Sequence, residues 1–253
     1  MKVTFLGTGT SQGIPVIACS CEVCQSMDYR DKRLRTSVHL QIEKQSIVID
    51  SGPDFRQQML RENIHSLDAI LFTHEHKDHT AGLDDVRGFN FAQGRDMPIY
   101  GRKAVIDQLK QEYHYAFTDK KYPGVPRLEV NFLNGSPFNI GDITIKPIEV
   151  RHMKLAVYGF RIKDFTYITD ANAIEPNEFD KIKGTRVLVI NSLQQSTHVS
   201  HFNLQEALDV IQKVNPKQAY LIHLSHKMGK HGDIEALLPE NVKIAYDGLK
   251  IEI

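Results

Sequence analysis

The chain carries no net charge: lysine plus arginine and aspartate plus glutamate number 31 each. A dedicated nucleic-acid binder usually shows a basic excess, so the balance argues against that class while still allowing a local basic patch. Long apolar runs are missing as well. No stretch is long enough to span a bilayer, and Met1 to Gly7 lack the charged head and apolar region of a secretory leader. The expectation is a cytoplasmic protein with no membrane partner. Cysteine is scarce, with three residues confined to Cys19-Ser20-Cys21-Glu22-Val23-Cys24. An odd number cannot all pair, and in a reducing compartment metal binding is a better reading than a disulfide framework. Repeats, linkers and low-complexity tracts are absent. With 253 residues, 41% of them hydrophobic, one domain over 1–253 is the simplest organisation.

What is present is strand and helix patterning of an α/β chain. Val3 to Leu6 reads as a strand that runs into the turn Gly7-Thr8-Gly9-Thr10-Ser11-Gln12-Gly13. Such a turn can bring backbone N–H groups to an anion, but more often it only turns. The segment Tyr29 to Arg35 is highly charged and reads as solvated surface. Ser37–Ile42, with Val38, Leu40 and Ile42 on one face, and Ser46–Asp50 predict a hairpin. A helix from Asp54 to about Glu62 should bury Phe55, Met59 and Leu60. Another, from about Ala104 to Tyr115, should bury Val105, Ile106 and Leu109. Tyr113 to Pro126 reads as a long surface loop, a candidate lid or rim. Strand signals dominate from Leu128 onward. Asn203 and Glu206 form a capping-box pattern ahead of an amphipathic helix. Val242–Tyr246 and Leu249–Ile253 predict a final hairpin turning at Asp247-Gly248.

The strongest signal is His74-Glu75-His76-Lys77-Asp78-His79, directly after the apolar run Ala69-Ile70-Leu71-Phe72. Four potential ligands fall within six residues. Other strand ends also carry ligand types: His152 after Val150, Asp170 after Thr169, and His223 after Ile222. Side chains just past strand ends sit on rigid backbone and project into a crevice. Imidazole plus carboxylate suits Zn²⁺, Mn²⁺ or Fe²⁺. A lone histidine is usually an ordinary core or surface residue, and His39, His65, His114 and His231 are read that way. His-x-His-x-Asp-His is not, because burying that cluster without a metal would be costly.

This motif, with His152, Asp170 and His223 downstream, resembles the metallo-β-lactamase superfamily over the chain from Val3 to its end. The resemblance implies an αββα sandwich, two mixed sheets flanked by helices, with two divalent metals (Zn or Mn) at one edge. It assigns His74, His76 and His152 to one metal, Asp78, His79 and His223 to the other, and Asp170 as the bridge. Gly7 to Pro15, Cys19-x-Cys21-x-x-Cys24 and His223-Leu-Ser-His226 further resemble the phosphoribosyl cyclic phosphate phosphodiesterase family of the carbon–phosphorus lyase pathway. That resemblance implies one structural zinc on Cys19, Cys21, Cys24 and His226, a closed set that contributes to folding.

The implied activity is a binuclear phosphodiesterase whose hydroxide attacks phosphorus, on a small cyclic phosphodiester such as phosphoribosyl 1,2-cyclic phosphate. Asp78 and His201 are the catalytic candidates. His201 matches a catalytic histidine of the family and can protonate a leaving alkoxide, with His198 as its competitor. Asp50 either supports a ligand histidine or only caps its turn. A tRNA 3′-end nuclease uses the same chemistry, but no long basic arm is visible here, so nucleic acid is the less favoured ligand. A thioesterase, glyoxalase or β-lactamase shares the ligands. A di-iron oxidoreductase would substitute a carboxylate within the motif. The expected partner is a small phosphodiester, and a homodimer is one expected assembly.

Overall fold

The computed structural model describes residues 1–118 and 122–253. In chain order its strands are β1 (Lys2–Gly7), β2 (Ser37–Ile42), β3 (Gln45–Ile49), β4 (Ala69–Leu71), β5 (Met97–Arg102), β6 (Leu128–Leu133), β7 (Phe138–Ile140), β8 (Ile143–His152), β9 (Leu155–Ile162), β10 (Phe165–Ile168), β11 (Ala173–Ile174), β12 (Val187–Asn191), β13 (Gln218–Ile222), β14 (Val242–Ile244) and β15 (Lys250–Glu252). They build two mixed sheets. One runs β15-β1-β2-β3-β4-β5-β6; the other runs β11-β8-β9-β10-β12-β13-β14, with β7 paired to β8.

Strands buried on both faces read as continuous apolar runs, and β3 shows why. Ile47 and Ile49 join Phe5, Val38, Leu40, Phe160, Phe165 and Tyr167 in the layer between the sheets. Val48, between them, faces the other way. It packs with Phe72 and Ile99 against α1 (Phe55–Arg61), α3 (Arg87–Gln93) and α4 (Lys103–Glu112), through Phe55, Met59, Phe89, Val105 and Leu109. On the far side of the second sheet, Val150, Leu188 and Ile190 pack against Ala207 and Ile211 of α7 (Leu204–Val214). The result is the αββα sandwich. The α7 capping box is formed, with the Asn203 side chain accepting from Glu206 N and the Glu206 carboxylate accepting from Asn203 N, both at 2.9 Å.

Several expectations are corrected. Leu60 is 64% exposed; Gln58 is buried in its place and donates to Arg35 O. The expected 104–115 helix ends at Glu112, and a short turn, α5 (His114–Phe117), follows with Ala116 buried. Residues 119–121 of the expected surface loop lie outside the described residues. The segment 29–35 is not solvated throughout. Arg33 is buried and donates to Thr8 Oγ1 (2.7 Å) and Ala245 O (2.6 Å), while Asp31 accepts from His231 N (2.8 Å). The final hairpin does not form. β14 adds in parallel to β13, and β15 crosses to the other sheet to pair antiparallel with β1. At the crossing, half-buried Asp247 accepts from Thr8 Oγ1 and Leu34 N, so the turn is held by partners from the far end of the sequence.

Candidate metal centre

The ends of β3, β4, β8, β10 and β13 deliver the candidate side chains to one edge of the sandwich. Three of these residues, Asp50, Asp170 and His223, have φ between 55° and 64°. Non-glycine residues rarely enter this left-handed region, and such strain gathers at functional sites. The turn it produces directs each side chain across the sheet edge. From the β4 end, His76 precedes the short helix α2 (Lys77–Thr80), which carries Asp78 and His79.

Asp170 is the hub. Its Oδ1 lies 3.2 Å from His79 Nε2 and 3.3 Å from His223 Nδ1, and its Oδ2 lies 3.9 Å from both His74 Nε2 and His201 Nδ1. Asp78 Oδ2 is 3.2 Å from His79 Nε2. Ligand atoms of Asp78, His79, Asp170 and His223 all fall within 4.8 Å of one another, as do those of His152, Asp170 and His201. The His74 and His76 rings are 4.6 Å apart, and those of His76 and His152 are 5.2 Å apart. All seven expected ligands therefore meet. His201 joins them more closely than expected, its ring 4.6 Å from His152 and 4.9 Å from His223. His198 stands further out, 5.5 Å from His201, with its Nδ1 turned to Ser200.

The outward nitrogens of His74, His79, His152 and His223 each have a partner. His79 Nδ1 donates to Asp50 Oδ2 at 2.7 Å. Thr73 donates its hydroxyl to the same carboxylate (2.8 Å), so it accepts from His74 Nδ1 at 3.0 Å. His152 Nδ1 donates to Ser200 O at 2.7 Å, and His223 Nε2 meets Thr10 Oγ1 at 3.3 Å. Asp50, Thr73 and the Ser200 carbonyl, all acceptors here, fix the tautomers of His79, His74 and His152. With each ring neutral and its proton outward, the inward nitrogens carry lone pairs, and those of His74, His79 and His223 are buried without a hydrogen-bond partner. Leaving such atoms unsatisfied costs roughly 1–3 kcal/mol each. A divalent cation satisfies them together, so the donor set fits the metals that the resemblance implies. Asp50 thus supports His79 directly and His74 through Thr73, which settles the choice the sequence left open.

Electrostatics separate the roles. Burial opposes charge on Asp170, but His223 and His79 hold its carboxyl well below the usual range. Burial, reinforced by His223, pushes His201 down to about 3, so in the free protein its ring is neutral.

The second cluster is formed as well. His226 Nδ1 lies 3.2, 3.4 and 3.6 Å from the Sγ atoms of Cys19, Cys21 and Cys24, which form no disulfide. The Cys24 backbone N–H is the largest influence drawing Cys21 down to about 6, the thiolate form a metal takes. His226 and His223 share one loop after β13, so the two clusters are mechanically joined. The glycine-rich turn contributes through Thr10, whose backbone N–H also donates to Leu224 O. Its role is to hold His223.

His39 and His231 are buried elsewhere, and His65 and His114 are exposed. Sequence reasoning missed Thr10, Thr73, Asn172, Asn191 and the Ser200 carbonyl. None belongs to a ligand residue type, and each matters only through its fold neighbours. No helix among the described residues is long and apolar enough to cross a membrane.

The β-lactamase superfamily domain model matches residues 45–224. A solved structure described as a new diphosphatase from the PhnP family is 33% identical, with a TM-score of 0.93, covering 100% of this chain and 97% of that one. An octanoyltransferase of Porphyromonas gingivalis is 38% identical over 99% of this chain and 51% of its own length. Ribonuclease Z of Bacillus subtilis is 27% identical over 65% of this chain and 49% of its own length. The chain spans about half the length of the curated relatives it matches.

Proposed function

Because this chain belongs to the metallo-β-lactamase superfamily, we propose that it is a metal-dependent hydrolase that cleaves a small phosphodiester, cyclic ones such as phosphoribosyl 1,2-cyclic phosphate first among them. His74, His76 and His152 would hold one divalent ion, and Asp78, His79 and His223 the other, with Asp170 between them. Cys19, Cys21, Cys24 and His226 would hold a structural zinc. Zinc or manganese in the first two places supplies Lewis acidity toward phosphoryl oxygens and toward water.

The protein's own residues do the rest. Asp50, Thr73 and Ser200 O keep the His79, His74 and His152 rings in the productive tautomer, and Thr10 holds the His223 ring in place. Asp78 adds a carboxylate beside His79, giving that position a charge that a histidine-only set lacks. His201 faces the site with a neutral ring. A phosphoryl anion brought beside it counters the burial that keeps it neutral, so it can deliver a proton to the departing oxygen.

The placement of His201 carries the reading. A sugar alkoxide leaves poorly without a proton, whereas a thiolate, with a pKa near 8.5, leaves without one. A proton donor within 4.6 Å of His152 therefore favours phosphodiesters over thioesters. A second reading, cleavage of a phosphoric anhydride, is favoured by likeness to the protein described as a diphosphatase. The test is a substrate panel with Mn²⁺ and with Zn²⁺: ribose 1,2-cyclic phosphate, 2′,3′-cyclic nucleotides, bis-p-nitrophenyl phosphate, a nucleoside diphosphate, a tRNA precursor and a thioester. Cyclic phosphodiesters should give the highest kcat/KM. Turnover confined to the thioester, or to the tRNA precursor, would overturn the proposal.

A further inference from the structure

The two residues after Asp170 run between the β8–β9 hairpin, where His152 ends β8, and the loop that carries His201. Ala171 is gripped by buried Asn191, whose Oδ1 accepts from Ala171 N (2.8 Å) and whose Nδ2 donates to Ala171 O (2.9 Å). Phe202 N donates to the same carbonyl at 2.7 Å. Asn172, fixed by its own N–H to Arg151 O (2.8 Å), then reaches in two directions. Its Oδ1 accepts from Met153 N at 2.8 Å, and its Nδ2 donates to Val199 O at 3.1 Å.

Met153 directly follows His152, and Val199 lies two residues before His201. Side-chain packing does little to hold these two residues themselves, since Met153 is 58% and Val199 74% exposed. Met153 also has φ +56°, a conformation that a non-glycine residue adopts only when its surroundings impose it. The Asn172 acceptor meets the N–H of that strained residue. The bond from His152 Nδ1 to Ser200 O at 2.7 Å couples the two loops once more, between the same two segments.

We propose that Asn172 is a positioning residue: its one side-chain amide sets the spacing between the His152 and His201 rings, whose centroids lie 4.6 Å apart. The task needs one acceptor and one donor on separate atoms of one short group, which the asparagine amide supplies. Asn172→Asp keeps the acceptor for Met153 and turns an oxygen toward the Val199 carbonyl, loosening the His201 loop alone. Asn172→Ala removes the tie to both the hairpin turn and the His201 loop. Neither change touches a candidate metal ligand. The effect on turnover rests on the reading that His201 protonates the leaving group.

The test uses full-length, metal-loaded protein. For the best substrate of the panel, both variants should lower kcat 10- to 100-fold with KM within threefold and metal content per chain unchanged. In ¹H–¹³C spectra of the zinc form, the His201 Cε1–H signal should shift in both variants and that of His74 should not. A kcat within threefold of the parent, or a loss that tracks lost metal, overturns the proposal. If no phosphate substrate is turned over, the phosphodiester reading fails separately. The His201 signal then decides, and an unshifted signal in both variants refutes Asn172 as its positioner.

Discussion

Replacing Asp50 with asparagine should weaken metal binding without unfolding the protein. The Asp50 carboxylate accepts three buried hydrogen bonds, from Thr73 N, Thr73 Oγ1 and His79 Nδ1, at 2.8, 2.8 and 2.7 Å. An asparagine oxygen can still take Thr73 N–H. Its Nδ2 then faces two groups that donated to the carboxylate. To avoid N–H against N–H, His79 must move its proton to Nε2, the atom 3.2 Å from both Asp78 and Asp170. Thr73 must likewise donate elsewhere, and the nearest acceptor is His74 Nδ1, which pushes the His74 proton inward as well. Removing an outer partner of a ligand histidine costs about 10- to 100-fold in metal affinity, or about 1.4–2.7 kcal/mol. Burial already raises the Asp50 pKa by penalising its charge, so a neutral amide should cost the metal-free fold little. Competition with a graded series of chelators, read by elemental analysis, measures the shift. Wild-type affinity in Asp50→Asn would refute the tautomer argument.

Three further outcomes are expected. His201→Ala should retain the active-site metals and lose about 10²–10⁴-fold in kcat; unchanged turnover would remove it from the mechanism. Cys21→Ser should lower metal content by one equivalent per chain and reduce Tm, and full metal content would sink the structural zinc. Burial pushes His39 down to about 4, its Nε2 donating to Ser46 Oγ, which itself donates to Ser66 O. Because the unfolded histidine binds its proton near 6.5, stability should be full above that pH and fall between about 6.5 and 4. The loss should reach at most about 3 kcal/mol. His39→Gln should flatten that limb of a denaturant-stability profile, and an unchanged slope would show that other groups cause it.

Local signals were readable from the chain. Four candidate ligands within six residues, and three cysteines within six, point to metal binding by their density alone, and the α7 cap is a contact three residues long. The long-range pieces were not readable. Arg33 reads as one charge in a charged run, and only the arrival of Ala245 and His231 makes it a buried tie. Val242–Tyr246 and Leu249–Ile253 have the pattern of a hairpin. Nothing local says that β1 is the better partner for the second of them, since alternation encodes a buried face and not which sheet provides it. Asn172 falls in the same class, an ordinary loop asparagine until two histidine loops come within reach of it.

The crossing of β15 to β1 has a consequence for the order of events during synthesis. Strand partners from opposite extremes of the sequence close the first sheet, and Gly9 pairs with Leu224 at the site itself. The His74–His79 loop leaves the ribosome well before His223 exists. At about 5–20 residues per second, the wait is on the order of ten seconds. Cys19, Cys21 and Cys24 wait longer for His226. During that interval the nascent chain presents thiolates and imidazoles with incomplete coordination, open to wrong metals and to oxidation. If the two clusters bind metal as proposed, neither set of ligands would be complete until His223 and His226 have emerged, and growth medium and metal supply should then decide which ion a purified preparation carries.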